Sequence, residues 1–220
     1  MSELGRLMSL MTGDEKHSAA ATSTLDVIRV LYERVLDVSP ETVSDERRDR
    51  FYLSKGHGPM AYYAVLVEQG FFPESWLAGW GTFDSPLGFH PDRNLVPGVE
   101  ISSGSLGHGL PLAVGTALGL RAQGIASRVV VLVGDAELDE GSNHEALELA
   151  AALALDALTV VVIDNGSSSY AVPGRVAARF DLEGWHAVAV DGRDHDLLEK
   201  ALSHRSIGRP NVVVAEVESR

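Results

Sequence analysis

Residues 129–166 read VVVLVGDAELDEGSNHEALELAAALALDALTVVVIDNG, and no other stretch restricts the fold of this chain as much. Two β-branched apolar runs, 129–133 and 158–163, have the length and make-up of buried strands. Between them, from about residue 140 to 155, lies an Ala/Leu/Glu-rich segment of good helix-forming composition, entered through Gly141-Ser142-Asn143. The first run breaks at Gly134-Asp135 and the second ends in Asp164-Asn165-Gly166. The order is strand, acid, helix, strand, amide. If the two strands lie side by side and parallel, Asp135 and Asn165 emerge at the same sheet edge, where parallel sheets hold ligands.

A carboxylate and an amide oxygen at one edge are hard oxygen donors, suited to Mg²⁺ or Ca²⁺ and not to a soft-ligand metal. Mg²⁺ leans on phosphate oxygens for the rest of its shell, so a diphosphate is the natural third party. Composition narrows the field further. At 220 residues with 45% hydrophobic content, the chain can bury a real core as one domain. It has no cysteine, which excludes disulfides, thiolate catalysis and Cys-based metal sites. A net charge of −13 argues against a nucleic-acid backbone as partner. No apolar run reaches membrane-spanning length and the N-terminus lacks a secretory pattern, so a cytoplasmic location is expected.

Helical spacing of apolar positions marks residues 3–12 and 22–36, with Thr22, Ser23 or Thr24 as candidate caps for the second. Residues 41–50 are a charged connector. A short apolar strand then ends in Ser54-Lys55-Gly56-His57-Gly58, followed by a helix over 60–68, and the glycines there permit close approach by a ligand. Residues 73–98 are Gly/Pro-rich loop with aromatics and include Phe89-His90-Pro91. Residues 98–110, GVEISSGSLGHGL, carry four glycines and three serines into an Ala/Gly/Leu helix reaching Gly124, a ready anion-contacting loop. Residues 167–179 read as polar loop, 184–194 as a strand segment, 197–202 as the start of a helix and 210–217 as a last strand.

Taken together these elements resemble the transketolase family, in its diphosphate-binding half. The G-D-A stretch matches the G-D-G…N thiamine-diphosphate motif with Ala136 in the place of its second glycine. S-K-G-H-G matches L-S-[NK]-G-H-[AG], and residues 97–109 match P-G-V-E-x-[ST]-[ST]-G-x-L-G-x-G. The resemblance implies an α/β thiamine-diphosphate-binding fold, a mostly parallel sheet with helices on both faces, as a single domain over 1–220. It implies thiamine diphosphate as cofactor, with Mg²⁺ (or Ca²⁺) held by Asp135, Asn165 and the backbone carbonyl of Ser167. His57, Gly104, Ser105, Leu106, Gly134, Asp135, Ala136, Glu137 and Asn165 would line the cofactor. His57 and His90 would contact substrate and move protons, as would His17, which matches the family's S-G-H-P-G histidine although Ser18-Ala19-Ala20 follows it. Glu140 and Glu145 would lie near a subunit interface and couple two cofactor sites.

The family's pyrimidine-binding domain, with its catalytic Glu and sugar-phosphate residues, is not recognisable in this sequence. The resemblance therefore implies a split enzyme: a second transketolase-like subunit, most simply in an α₂β₂ assembly, and transfer of a two-carbon ketol unit from a ketose to an aldehyde. An acyloin or carbon–carbon ligase using an α-keto acid donor is an alternative, as is a non-catalytic half acting as scaffold or regulator.

Overall fold

The computed structural model describes residues 2–12, 15–168 and 172–217, and of residues 15–20 the backbone alone. Five strands, β1 (Arg50–Leu53), β2 (Val129–Gly134), β3 (Leu158–Asp164), β4 (His186–Asp191) and β5 (Asn211–Glu216), form one sheet in the order β1-β2-β3-β5-β4. Every pairing is parallel. The α-helices among the described residues are α1 (Glu3–Ser9), α2 (Glu15–Val30), α3 (Pro59–Glu68), α4 (Gly109–Ala122), α5 (Gly141–Ala152), α6 (Arg175–Leu182) and α7 (His195–Ser203).

The sheet is covered on both sides, which is why β2 and β3 are buried at every position and read as unbroken apolar runs. Phe51, Leu53, Val130, Leu132, Val161 and Ile163 join a core with α1, α2, α3 and α7. The alternate residues Tyr52, Val131, Val133, Val160 and Val162 join a second core with α4, α5 and α6. Each Val or Leu so buried is worth roughly 1.5–3 kcal/mol against exposure, far more than any surface ion pair here can supply. Trp185 is wholly buried in the second core, edge-on to Phe180 and donating its indole N–H to the Leu147 carbonyl at 3.0 Å.

The long connection between α3 and α4 is held from below by aromatic hydroxyls. Tyr62 donates to the Gly98 carbonyl at 3.1 Å and Tyr63 to the Gly88 carbonyl at 3.0 Å. Arg48 grips Glu100 with two bonds of 3.0 Å, so the acid of the G-V-E segment is a structural anchor.

Two expectations change. Thr22, Ser23 and Thr24 do not cap a helix, because α2 begins at Glu15 and encloses them; Ser23 and Thr24 are buried. The polar stretch expected as loop to residue 179 turns helical at Arg175, after Gly174 in the left-handed region at φ 73°. Phe180 is the one fully buried residue of this short helix, with Val176 and Ala177 packed partly buried against the same core.

Candidate active site

The register of β2 on β3 pairs Gly134 with Ile163, and the Asp135 amide continues the ladder to the Ile163 carbonyl at 3.1 Å. Asp135 and Asn165 therefore leave the sheet at the same edge. Asp135 is 4% exposed. Its Oδ1 accepts from the Ala136 amide at 2.9 Å and from the Ser167 hydroxyl, and its Oδ2 accepts from the Ser168 amide at 3.1 Å. Asn165 Oδ1 accepts from the Ser167 amide at 3.2 Å. Ser167 thus ties the acid to the amide. Ala136 adopts ordinary backbone: among the described residues Ala154 is the one non-glycine with positive φ. A glycine is not needed there on conformational grounds.

The histidine loop leaves β1 beside this edge. Lys55 is buried, lays its stem along Gly134, and donates to Thr24 Oγ1 at 3.2 Å and to the His57 carbonyl at 2.9 Å. Burial lowers the Lys55 ammonium to about 8, against the opposing pull of Asp135 and Glu137. Gly56 lies against Leu106 and the Gly104 carbonyl, so this loop touches the glycine-rich one. His90 arrives from the other side. A methyl placed on Gly104 would stand 2.6 Å from its Cγ, and Gly104 has φ +123°, so the ring's seat exists because residue 104 has no side chain. His57 and His90 are both exposed on the surface they share with Ser105 and Leu106.

Glu137 binds these loops together from beneath. It is 2% exposed, and its Oε1 accepts from the Ser54 hydroxyl and from the Gly107 amide at 3.1 Å, while Oε2 accepts from the Gly134 amide at 3.3 Å. Burial pushes its carboxyl up, opposed by those donors. Ser54 Oγ in turn accepts the Gly109 amide at the start of α4, at 3.0 Å. The Glu137 side chain, from a residue expected at the cofactor, faces protein donors.

Among the other expected residues, Glu140 is exposed just before α5 with its Cβ against Gly107, and Glu145 is exposed on α5. The side chain of His17 lies outside the described residues, though its backbone belongs to α2. Ser54, Thr24 and Ser168 also form the site, although the sequence did not offer them as site residues. Ser54 stands inside S-K-G-H-G, where its hydroxyl was a usable signal; Thr24 sits on a distant helix and gave none.

The arrangement supplies oxygen donors at a strand edge, amide-rich glycine loops and two accessible imidazoles. Asp135, Asn165 and the Ser167 backbone match the hard-donor set that Mg²⁺ or Ca²⁺ takes, so these residues fit a metal-bound diphosphate. Residues 8–217 match the family described as transketolase, thiamine diphosphate binding domain. A Rhodococcoides fascians protein named ferredoxin fas2 is 54% identical over 216 residues, covering 98% of this chain and 71% of that protein. One of the named subunits of the apulose-4-phosphate transketolase of Actinobacillus succinogenes is 36% identical over 206 residues, covering 90% of this chain and 75% of that relative. The solved transketolase of Leishmania mexicana superposes with a TM-score of 0.77 at 27% identity, covering 98% of this chain and 37% of its own length. The chain therefore spans little over a third of the solved transketolases it matches. It belongs to the family of transketolase thiamine diphosphate-binding domains.

Proposed function

We propose that the chain is the diphosphate-binding subunit of a thiamine-diphosphate-dependent transferase that moves a two-carbon ketol unit from a ketose to an aldehyde acceptor. The observation that carries this is the joining of Asp135 and Asn165 through Ser167 at one strand edge, with the His57 loop in contact with the same strand end through Lys55. When bound, thiamine diphosphate supplies the electron sink that lets a carbon–carbon bond beside a ketone break. Asp135, Asn165 and the Ser167 carbonyl would hold Mg²⁺ or Ca²⁺, which offsets the diphosphate charge. The loop of Gly104, Ser105 and Leu106, together with Gly134 and Ala136, would admit the cofactor against backbone. His57 and His90 would hold substrate hydroxyls and take or return their protons, a task suited to imidazoles near neutral pH.

A second transketolase-like subunit with a pyrimidine-binding domain would complete the site, most simply as α₂β₂, with Glu140 and Glu145 near the interface. The apulose-4-phosphate transketolase relative, named as one subunit of its enzyme, supports this reading. So does apolar surface along α4 and α5: Leu112, Leu118 and Leu149 are 49%, 39% and 49% exposed. Calorimetry on the assembled enzyme tests the site. Thiamine diphosphate should bind only with the divalent ion, and Asp135→Ala should weaken it more than Asn165→Ala. Unchanged affinity in Asp135→Ala would falsify the assignment.

One observation favours a second reading. The 54%-identical relative bears the name of an iron–sulfur electron carrier. On this reading the donor is an α-keto acid, and electrons released in its oxidation pass to such a carrier. The carrier would be a separate protein or domain, since this chain has no cysteine to hold a cluster. Reduction of a one-electron dye driven by an α-keto acid, without turnover of ketose plus aldose, would select it.

A further inference from the structure

We infer that Glu137 and Ser54 form a positioning bracket that holds the His57 loop and the Gly104–Leu106 loop in one fixed arrangement before any ligand arrives. The inference rests on the reading of this edge as a cofactor site for its purpose, but not for its test. Three chain segments end at the bracket: β1 through the Ser54 hydroxyl, β2 through the Gly134 amide, and the entry to α4 through the amides of Gly107 and Gly109. A fourth is added by Asn143 of α5, whose side-chain amide donates to the Glu137 carbonyl at 2.7 Å, and Ser142 Oγ donates to the Gly107 carbonyl at 2.6 Å.

The bracket leaves little slack. A methyl on Gly109 would stand 2.3 Å from Ser54 Cβ, and one on Gly107 would stand 2.6 Å from Ser142 Oγ. Glu137 and Ser54 are 2% and 1% exposed, so water cannot replace a lost partner cheaply. Hydrogen bonds to a charged acceptor are the stronger kind, and an acceptor that collects three donors from separate loops fixes those loops relative to one another. The arrangement also decides which amides are left for a ligand. Those of Gly107 and Gly109 are already taken by protein acceptors, so these two amides are not offered to an anion.

Native-state hydrogen exchange on the full chain tests this without cofactor or partner. In Glu137→Gln and in Ser54→Ala, exchange at Gly107 and Gly109 should speed by about 10–100-fold, while amides in the middle of β2 and β3 keep wild-type protection. Should Glu137→Gln not fold, Ser54→Ala, which removes one hydroxyl, carries the test alone. The double variant should be no faster at these amides than the faster single one, since both remove one device. Unchanged exchange at Gly107 and Gly109 overturns the bracket, and so does uniform speeding across the sheet, which would mean a general loss of core stability. Thiamine diphosphate affinity, measured by calorimetry on the assembled enzyme with Mg²⁺, should fall roughly tenfold in Ser54→Ala. Failure of the wild-type assembly to bind the cofactor overturns the functional reading and leaves the exchange result standing; equal binding by wild type and variant overturns the bracket's part in forming the cofactor site.

Discussion

His57 and Gly104 show how differently two neighbouring residues of one site should respond to substitution. His57 is exposed at the tip of a loop whose backbone is fixed by Lys55, so its ring takes no part in core packing. His57→Ala should therefore leave thiamine diphosphate affinity and the thermal midpoint near wild type, while turnover drops by about 10²–10⁴-fold if the ring acts as general acid or base. Full turnover at saturating cofactor would reduce this histidine to a bystander. Gly104 is the opposite case. An alanine there meets both the φ of +123° and the His90 ring 2.6 Å away, so Gly104→Ala should cost about 1–3 kcal/mol in strain and also displace His90. Calorimetric melting would show this as a midpoint lowered by several degrees; an unshifted midpoint would contradict the geometry. Both residues were legible from their motifs. Glu137 was legible only as part of the G-D-A-E run, because direction of a side chain, inward to Ser54 or outward to a ligand, is set by packing that no spacing records.

At the level of elements, β2, α5 and β3 could be read from the chain because a sheet buried on both faces needs long uninterrupted β-branched runs. The insertion of β5 between β3 and β4 could not, since strand order depends on which crossovers cover the sheet and leaves no local pattern. The start of α2 was misplaced for a related reason: Thr22, Ser23 and Thr24 have capping chemistry, but burial beneath Lys55 uses Thr24 as an acceptor instead. Within α4, Gly115 has nothing within 4 Å of an added Cβ and lies in the helix interior, so it contributes only unfolded-state freedom to this chain. Gly115→Ala should stabilise the isolated chain by about 0.5–1 kcal/mol, or roughly 1–4 °C in thermal midpoint. A lower midpoint would show that α4 is bent or frayed there in a way the glycine serves. Gly115 shares its face of α4 with Leu112 and Leu118, so the same change should weaken assembly if that face meets another chain.

For the whole molecule, the decisive question is what covers that face. Leu112 and Leu118 on α4 and Leu149 on α5 leave apolar side chains in water, as does Leu106, 41% exposed at the candidate site. Scattered exposed leucines are ordinary, but these lie on two contacting helices and on the glycine loop that leads into α4. A chain carrying −13 charges gains little from meeting its own copy through long-range electrostatics, whereas a partner able to offset that charge would be favoured. The expected outcome is that the pure chain, given thiamine diphosphate, Mg²⁺, a ketose donor and an aldose acceptor, shows no multiple turnover, and that adding the second subunit restores it. Leu112→Glu should keep the chain's own melting transition, since the residue is half exposed and outside both cores, yet prevent the gain in activity and the rise in mass seen by light scattering. Sustained turnover by the pure chain would sink the two-subunit proposal, and normal assembly by Leu112→Glu would move the interface away from α4.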